Sequence, residues 1–285
     1  MKSPIRLVGA KHKESGSLPS LLPAAATWVE PFIGAGHVLL GAIDQGRWQN
    51  YLIGELDPVA ANFWEQVAAG HSQAIASVAQ PWVDKAQALR HQGHPDQLTL
   101  FDMGAALTYE EFRDELWAWF RRVEGDDSIE AAAAWAVLNR CTFNGGGRHA
   151  GVSRAAVTQK LTTGFLDRLA ALSLPRVTVH RGDYRETLAR APKDAAVFLD
   201  PPYFTATPVY QDHAKFDFEA LAETCRGLTQ PWVMTIDDCE AVRSLFAGLP
   251  MRAWCKDYSA TKKRKVGREL LVGNIEFELA GIEVA

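Results

Sequence analysis

The chain has 285 residues, of which 47% are hydrophobic and 22% charged, with a formal net charge of -4; these are the proportions of an ordinary globular protein with a core to bury, not of a fibrous or low-complexity chain. No apolar run approaches the roughly 18–20 residues of a membrane span, the longest being Ala131 to Leu138, and the start of the chain, with Lys2 and Arg6, lacks the apolar stretch of a signal peptide. Four widely separated cysteines, Cys141, Cys225, Cys239 and Cys255, form no C-x-x-C pair, so they read as reduced thiols of a cytosolic protein rather than metal ligands or a disulfide framework.

The first 70 residues read as a strand at Thr27-Trp28-Val29, a glycine turn, a helix, a strand at Tyr51-Leu52-Ile53 and a helical stretch from Asp57 to Ala69. The turn is Glu30-Pro31-Phe32-Ile33-Gly34-Ala35-Gly36, in which glycines permit a tight bend and close approach of a ligand. Alone it is as consistent with a plain turn, because the third glycine of the dinucleotide fingerprint is missing. Glu55 ends the next strand, about 20 residues on, where an acid can hold two ribose hydroxyls.

Residues 71–128 include a polar loop, His91 to Asp96, that reads as a surface insertion. Thr108 and Glu111 fit a capping box that opens a helix with Phe112, Leu116, Trp119 and Phe120 on one face. Asp126-Asp127-Ser128 suits the cap of a second helix through Leu138. Residues 139–165 are rich in glycine, arginine and small polar groups, with weak periodicity.

From Val177 the alternation returns, with strands at Val177 to His180, Ala196 to Leu199, Trp232 to Ile236 and Leu270 to Val272, and helices at Phe218 to Leu228 and Cys239 to Ala247. Strands alternating with helices on both sides of residues 71–165 predict one parallel-type α/β sheet with a helical insertion. Asp183 follows the third strand and suits either an adenine amino group or a helix cap. Asp200-Pro201-Pro202-Tyr203 follows the fourth. Its prolines fix the backbone and remove amide donors, leaving a carboxylate, carbonyls and a flat ring at a strand end. Such a set can grip a planar amino group, with two acceptors for its protons and a ring for its face. Lys262, Lys263, Arg264, Lys265 and Arg268 form a basic run, which is either a solvated loop or a phosphate contact.

In order along the chain these elements resemble the Dam-type DNA adenine-N6 methyltransferases (D12 class, alpha group). Pro4-Ile5-Arg6-Leu7-Val8-Gly9-Ala10-Lys11 resembles the family's P-L-K-W-x-G-x-K segment, and Val29 to Gly36 resembles its V-E-P-F-x-G-x-G. Gly54-Glu55-Leu56-Asp57 sits where the family has its ribose acid. Leu138 to Gly145 with Arg148 resembles L-N-R-x-x-[FY]-N-G-x-x-R, and Gly182-Asp183-Tyr184, the D-P-P-Y segment and Glu269-Leu270-Leu271 complete the set. The resemblance implies an α/β, Rossmann-like S-adenosylmethionine-dependent methyltransferase sheet, residues 1–70 and 166–285, with a mostly helical DNA-recognition domain inserted over 71–165. It implies S-adenosylmethionine held by Lys11, Pro31, Phe32, Gly34, Gly36, Glu55, Asp183 and Asp200. Asp200, Pro201 and Tyr203 would act on N6 of an adenine flipped out of double-stranded DNA.

Contacts to DNA would come from Arg140, Phe143, Asn144, Arg148, Lys262, Lys263, Arg264 and Lys265. In that set Phe143 is either a wedge into the base stack or a core aromatic. No metal and no membrane enter this reading, and a monomer is expected. Three features depart from the family: Leu7 stands in place of Trp, residues 71–107 are expanded, and the stretch from Arg148 to Leu166 is short. The last of these suggests relaxed or short-site specificity. The alternatives are an RNA N-methyltransferase or a DNA cytosine-N4 methyltransferase using the same clamp.

Overall fold

The computed structural model describes residues 1–91, 107–205, 216–258 and 265–276. In chain order the strands and helices begin with β1 (Thr27–Glu30), α1 (His37–Gln45) and β2 (Asn50–Glu55). There follow α2 (Pro58–Ala68), α3 (Ser72–His91), α4 (Tyr109–Val123), α5 (Ile129–Cys141), α6 (Arg154–Lys160) and α7 (Thr163–Ala170). The chain then alternates through β3 (Val177–Arg181), α8 (Tyr184–Ala189), β4 (Ala195–Leu199), α9 (Phe218–Gly227), β5 (Trp232–Asp237) and α10 (Glu240–Leu245), and closes with β6 (Met251–Tyr258) and β7 (Lys265–Gly273). Two compact units result: Met1–Ala10 with Leu56–Pro175, and Lys11–Glu55 with Arg176–Ala285.

The second unit holds the sheet. Among the described residues its seven strands run in the order β3-β2-β1-β4-β5-β7-β6. The first five are parallel, and β7 runs antiparallel to both β5 and β6. β1, β4 and β5 are buried along their whole length, which is why Ala195 to Leu199 is a continuous apolar run and Trp232 to Ile236 is apolar except at Thr235, rather than alternating. The chain winds outward from β1 to β2 and β3, then returns to place β4 on the other side of β1. Strand ends on either side of such a reversal splay apart, and ligands of open α/β sheets bind there. β6 was not anticipated: it lies at the sheet edge, and Met251-Arg252-Ala253-Trp254-Cys255-Lys256-Asp257-Tyr258 mixes charge into its pattern.

The first unit is helical. Thr108 caps α4: its hydroxyl accepts from the Glu111 amide at 3.2 Å, and the Glu111 carboxylate accepts from the Thr108 amide at 2.8 Å. Phe112, Leu116 and Phe120 are buried, whereas Trp119 lies half-exposed, stacked on Trp82 with its indole donating to Glu130. Each fully buried side chain of this size contributes about 1.5–3 kcal/mol. Ser128 caps α5 through the Ala131 amide. α5 is buried on all sides from Ala131 to Asn139, packed against α2, α3 and α4, as its run of alanines dictates. α3 passes through Pro81, a residue that argues for a helix boundary, and no individual helix was placed there within the helical insertion expected. No helix among the described residues is long and apolar enough to cross a membrane.

Asn139 ties the start of the chain to the turn after α5. Its Oδ1 accepts from the Arg6 amide at 3.0 Å, and its Nδ2 donates to the carbonyls of Arg6 (2.9 Å) and Gly145 (2.8 Å). Gly145 is required at this point: its φ is +75°, and a Cβ would lie 2.1 Å from the Arg6 carbonyl oxygen. Asn139→Ala leaves buried partners unsatisfied and is expected to lower stability by about 3 kcal/mol, measured as a fall in the urea midpoint at unchanged slope.

Candidate active site

The residues that follow the parallel strands β1, β2, β3 and β4 sit on the carboxyl edge of the sheet. After β1 the chain turns through Pro31 to Gly36. Ile33 N–H donates to the Gly54 carbonyl at 3.1 Å, and Gly36 N–H donates to the Ile33 carbonyl at 2.8 Å. Gly34 and Gly36 have φ of +48° and +70°, in the left-handed region that side chains disfavour, so α1 begins at a bare glycine backbone. Phe32 stacks on Tyr184 with ring centroids 5.1 Å apart, and Phe216 meets both rings.

Glu55 ends β2, half-buried, and its carbonyl receives the Gly182 amide at 3.0 Å. Asp183 ends the β3 turn and caps α8 through the Arg185 amide at 2.9 Å. It is also paired with the Arg185 guanidinium at 2.7 and 3.3 Å, which holds the carboxyl below its usual range. Both readings weighed for Asp183 therefore remain at one residue: it is a helix cap, and a third of its side chain stays exposed.

The centre of the site is Lys11. Its side chain is buried, and Nζ donates to Asp200 Oδ1 and to the Tyr203 hydroxyl, both at 2.6 Å. Glu269 Oε2 lies 3.9 Å from the same nitrogen, and the ammonium sits 4.9 Å from the Tyr203 ring centroid. Burial by itself lowers an ammonium pKa. Asp200 and Glu269 outweigh it, and the pKa of Lys11 stands above its ordinary value. Asp200 Oδ1 also accepts from Thr235 Oγ1 at 2.7 Å. Among the described residues these are the donors to Asp200, so Oδ2 is left without one. Pro201 is buried behind it, and Pro202 and Tyr203 are half-exposed.

Near this cluster Glu30 is buried, with one donor among the described residues, the Trp28 indole at 3.0 Å. Burial pushes its carboxyl well above the ordinary carboxylate range; the indole draws it back in part, and the negative charge of Asp200 adds to the rise.

In the first unit, the turn after α5 carries the other predicted residues. Phe143 is 66% exposed, so it is not a core aromatic. Its amide donates to Gly151 at 3.1 Å, its carbonyl receives Gly146 at 3.0 Å, and Asn144 beside it holds a left-handed φ of +52°. Arg148 is paired with Asp57 at 3.2 Å, and Asp57 at the same time caps α2 through the Val59 amide at 3.0 Å. Arg140 points elsewhere: its Nε donates to the Lys160 carbonyl at 2.7 Å, and its guanidinium lies 5.8 Å from the Phe165 ring centroid. Burial, with Arg168 and Arg6 nearby, lowers the Arg140 pKa to about 10.

Lys262, Lys263 and Arg264 lie outside the described residues. The loop expected to run through Arg268 is shorter, since Lys265 opens β7 and Arg268 lies within it, with Nε 3.7 Å from Asp238. Thr235 and Asp237 were not singled out in the sequence. Their signal was available in part: each is a polar residue at the carboxyl end of an otherwise apolar strand.

A carboxyl-edge cluster beside a strand-order reversal is the arrangement of α/β proteins that bind a ligand at the switch point of the sheet. The comparison with known families narrows this. Residues 8–256 match the D12 class N6 adenine-specific DNA methyltransferases, and the chain belongs to that family. It is similar to the DNA adenine methylases of two Vibrio cholerae serotype O1 strains, Classical Ogawa and El Tor Inaba. In each case 25% of residues are identical over 206 positions, covering 70% of this chain and 64% of the relative. The matched region is thus just under two thirds of those relatives' length.

The buried Glu30 gives a pH signature. Its folded pKa lies above its unfolded value near 4.5, so its contribution to stability is fully present below that pH and is lost as pH rises through the folded value. Glu30→Gln keeps an acceptor for the Trp28 indole and removes the ionisation. The variant is expected to gain stability over the wild type progressively above that unfolded value, read from urea midpoints across a pH series.

Proposed function

We propose that this chain transfers a methyl group from S-adenosylmethionine to N6 of an adenine swung out of duplex DNA, and that the reaction is site-specific. One observation carries the reading: the Asp200 carboxylate is held through Oδ1 by the buried Lys11, which leaves Oδ2 for a substrate amine beside the carbonyl of Pro201. When bound, S-adenosylmethionine supplies an electrophilic methyl group on a sulfonium centre.

The residues suit that group. The glycine turn offers backbone without a basic side chain, as a cofactor lacking phosphate requires. Glu55 stands at the next strand end for the ribose, and the exposed part of Asp183 suits the adenine amine. Around Lys11 the carboxyls of Asp200 and Glu269 share one ammonium, an arrangement that favours a further cation nearby.

Asp200 Oδ2 and the carbonyl of Pro201 accept the two N6–H bonds of the base. The nitrogen lone pair, otherwise delocalised into the purine, is then aimed away from both acceptors. Held in this way, N6 would be oriented toward the methyl group that S-adenosylmethionine would supply, and Asp200 Oδ2 would take up the proton that N6 gives up. Tyr203 offers its ring face to the base, while its hydroxyl is fixed by Lys11. Asp200 stabilises the positive charge that develops on N6, and fixed geometry supplies much of the acceleration.

We assign target recognition to the helical unit. The exposed Phe143 enters the base stack, and Arg148, oriented by Asp57, faces a guanine edge. The short stretch from Arg148 to α7 favours a short or relaxed recognition site. Arg140 supports the turn from behind.

Asp200→Ala is expected to abolish transfer of labelled methyl to DNA while S-adenosylmethionine binding by calorimetry stays within a few-fold; normal turnover defeats the assignment. Phe143→Ala is expected to lower kcat/KM on paired DNA by about tenfold, and to do so far less where the target adenine is mismatched and flips at lower cost. An equal loss on both substrates removes Phe143 from base flipping.

A further inference from the structure

The D-P-P-Y segment presents a mechanical difficulty. Pro201 and Pro202 have no N–H, so between the amides of Asp200 and Tyr203 the backbone that carries the Pro201 carbonyl has no donor of its own with which to be fixed. The structure shows where the fixing comes from. In the parallel pairing of β4 with β5, Leu199 is matched with Met234, so the next residue on each strand, Asp200 and Thr235, fall side by side.

Thr235 is fully buried, and its hydroxyl donates to Asp200 Oδ1 at 2.7 Å in preference to the Leu199 carbonyl at 3.5 Å. Two residues further along β5 is Asp237, only 8% exposed. Its Oδ1 accepts from the Phe204 amide at 2.7 Å and its Oδ2 from the Thr205 amide at 2.8 Å. Residues two apart on a strand face the same way, about 6.6 Å from each other. One strand edge therefore grips the segment at both ends: the carboxylate that opens it, and the consecutive amides just after Tyr203.

We propose that Thr235 and Asp237 are positioning residues of the active site. Thr235 sets the rotation of the Asp200 carboxyl so that Oδ2 faces the substrate amine, and Asp237 sets the path of the chain that carries the Pro201 carbonyl and the Tyr203 ring. Neither touches substrate. A β-branched side chain suits the first task, because its χ1 is stiff; a carboxylate suits the second, because it has two acceptor oxygens, one for each amide, and no donor to oppose them. This inference rests on the methyl-transfer reading given above.

The test compares wild type, Thr235→Val, Thr235→Ser and Asp237→Asn in full-length protein. Methyl transfer to DNA, S-adenosylmethionine binding and melting temperature are measured on each. Thr235→Val preserves shape and removes the donor; Asp237→Asn preserves shape and sets an amide against an N–H. Both are expected to lower kcat by about 10- to 100-fold, since misplacement of about 1 Å can cost on the order of 10²-fold, with KM for cofactor and DNA within a few-fold. Thr235→Ser is expected to recover most of the rate. Wild-type kcat in either Thr235→Val or Asp237→Asn overturns the proposal, and so does a Ser variant as slow as the Val variant. Should Thr235→Val not fold, Asp237→Asn decides by the same criterion. A wild type that binds S-adenosylmethionine but methylates no DNA adenine overturns the functional reading and this inference with it, whereas an active wild type with unaffected variants overturns the inference alone.

Discussion

A single buried ammonium organises the candidate site of this protein. Lys11 brings three donors into the low-dielectric interior, and removing such a group from water costs several kcal/mol unless its charge and protons are met. Here they are met by Asp200, by the Tyr203 hydroxyl and by the nearby carboxyl of Glu269. The consequence is directional. A carboxylate has two oxygens, and engaging one of them with a cation fixes the side on which the other is offered. Residues far apart in the chain, at positions 11, 200, 203 and 269, are thereby made into one object.

The same region shows how protein surroundings assign charge to chemically similar groups. Glu30 and Asp200 lie close enough to repel. Glu30 receives one neutral indole donor and is driven toward its uncharged form; Asp200 receives the ammonium and a hydroxyl. Two acids at the ends of neighbouring strands thus do different work because only one has a cation. The sheet makes this possible, since the parallel strands β1, β4 and β5 are buried throughout and end at a common edge where polar groups first become affordable.

Much of this was legible in the sequence, for local reasons. A capping box at Thr108 and Glu111, a serine before an alanine-rich run, and short apolar runs ended by acids each carry their own physics within a few residues. The D-P-P-Y segment announced its position because prolines terminate strands. What could not be read depended on pairing across the fold. That Thr235 meets Asp200 follows from the register of β4 against β5, and the sequence of neither strand states it. That Arg140 turns to the Lys160 carbonyl instead of outward follows from how α5 packs. α3 was hidden by Pro81 and β6 by its charges, since in both cases tertiary packing overrode a local signal.

Exposure of Phe143 is the complementary feature on the helical unit. A large aromatic left 66% in solvent gains little from folding, yet the surrounding backbone is held more firmly than a surface turn needs. Asn139 fastens Gly145, Thr142 receives the Gly147 amide at 3.0 Å, and a bridge joins Thr142 to Val152. Left-handed conformations at Asn144 and Gly145 tighten the bend further. Such a turn keeps its shape while its apolar tip waits for a surface to enter. The wedge role proposed for Phe143 would call for this combination, a largely exposed apolar ring on a rigid support. Order is therefore invested in the backbone beneath Phe143, while most of the side chain stays in solvent.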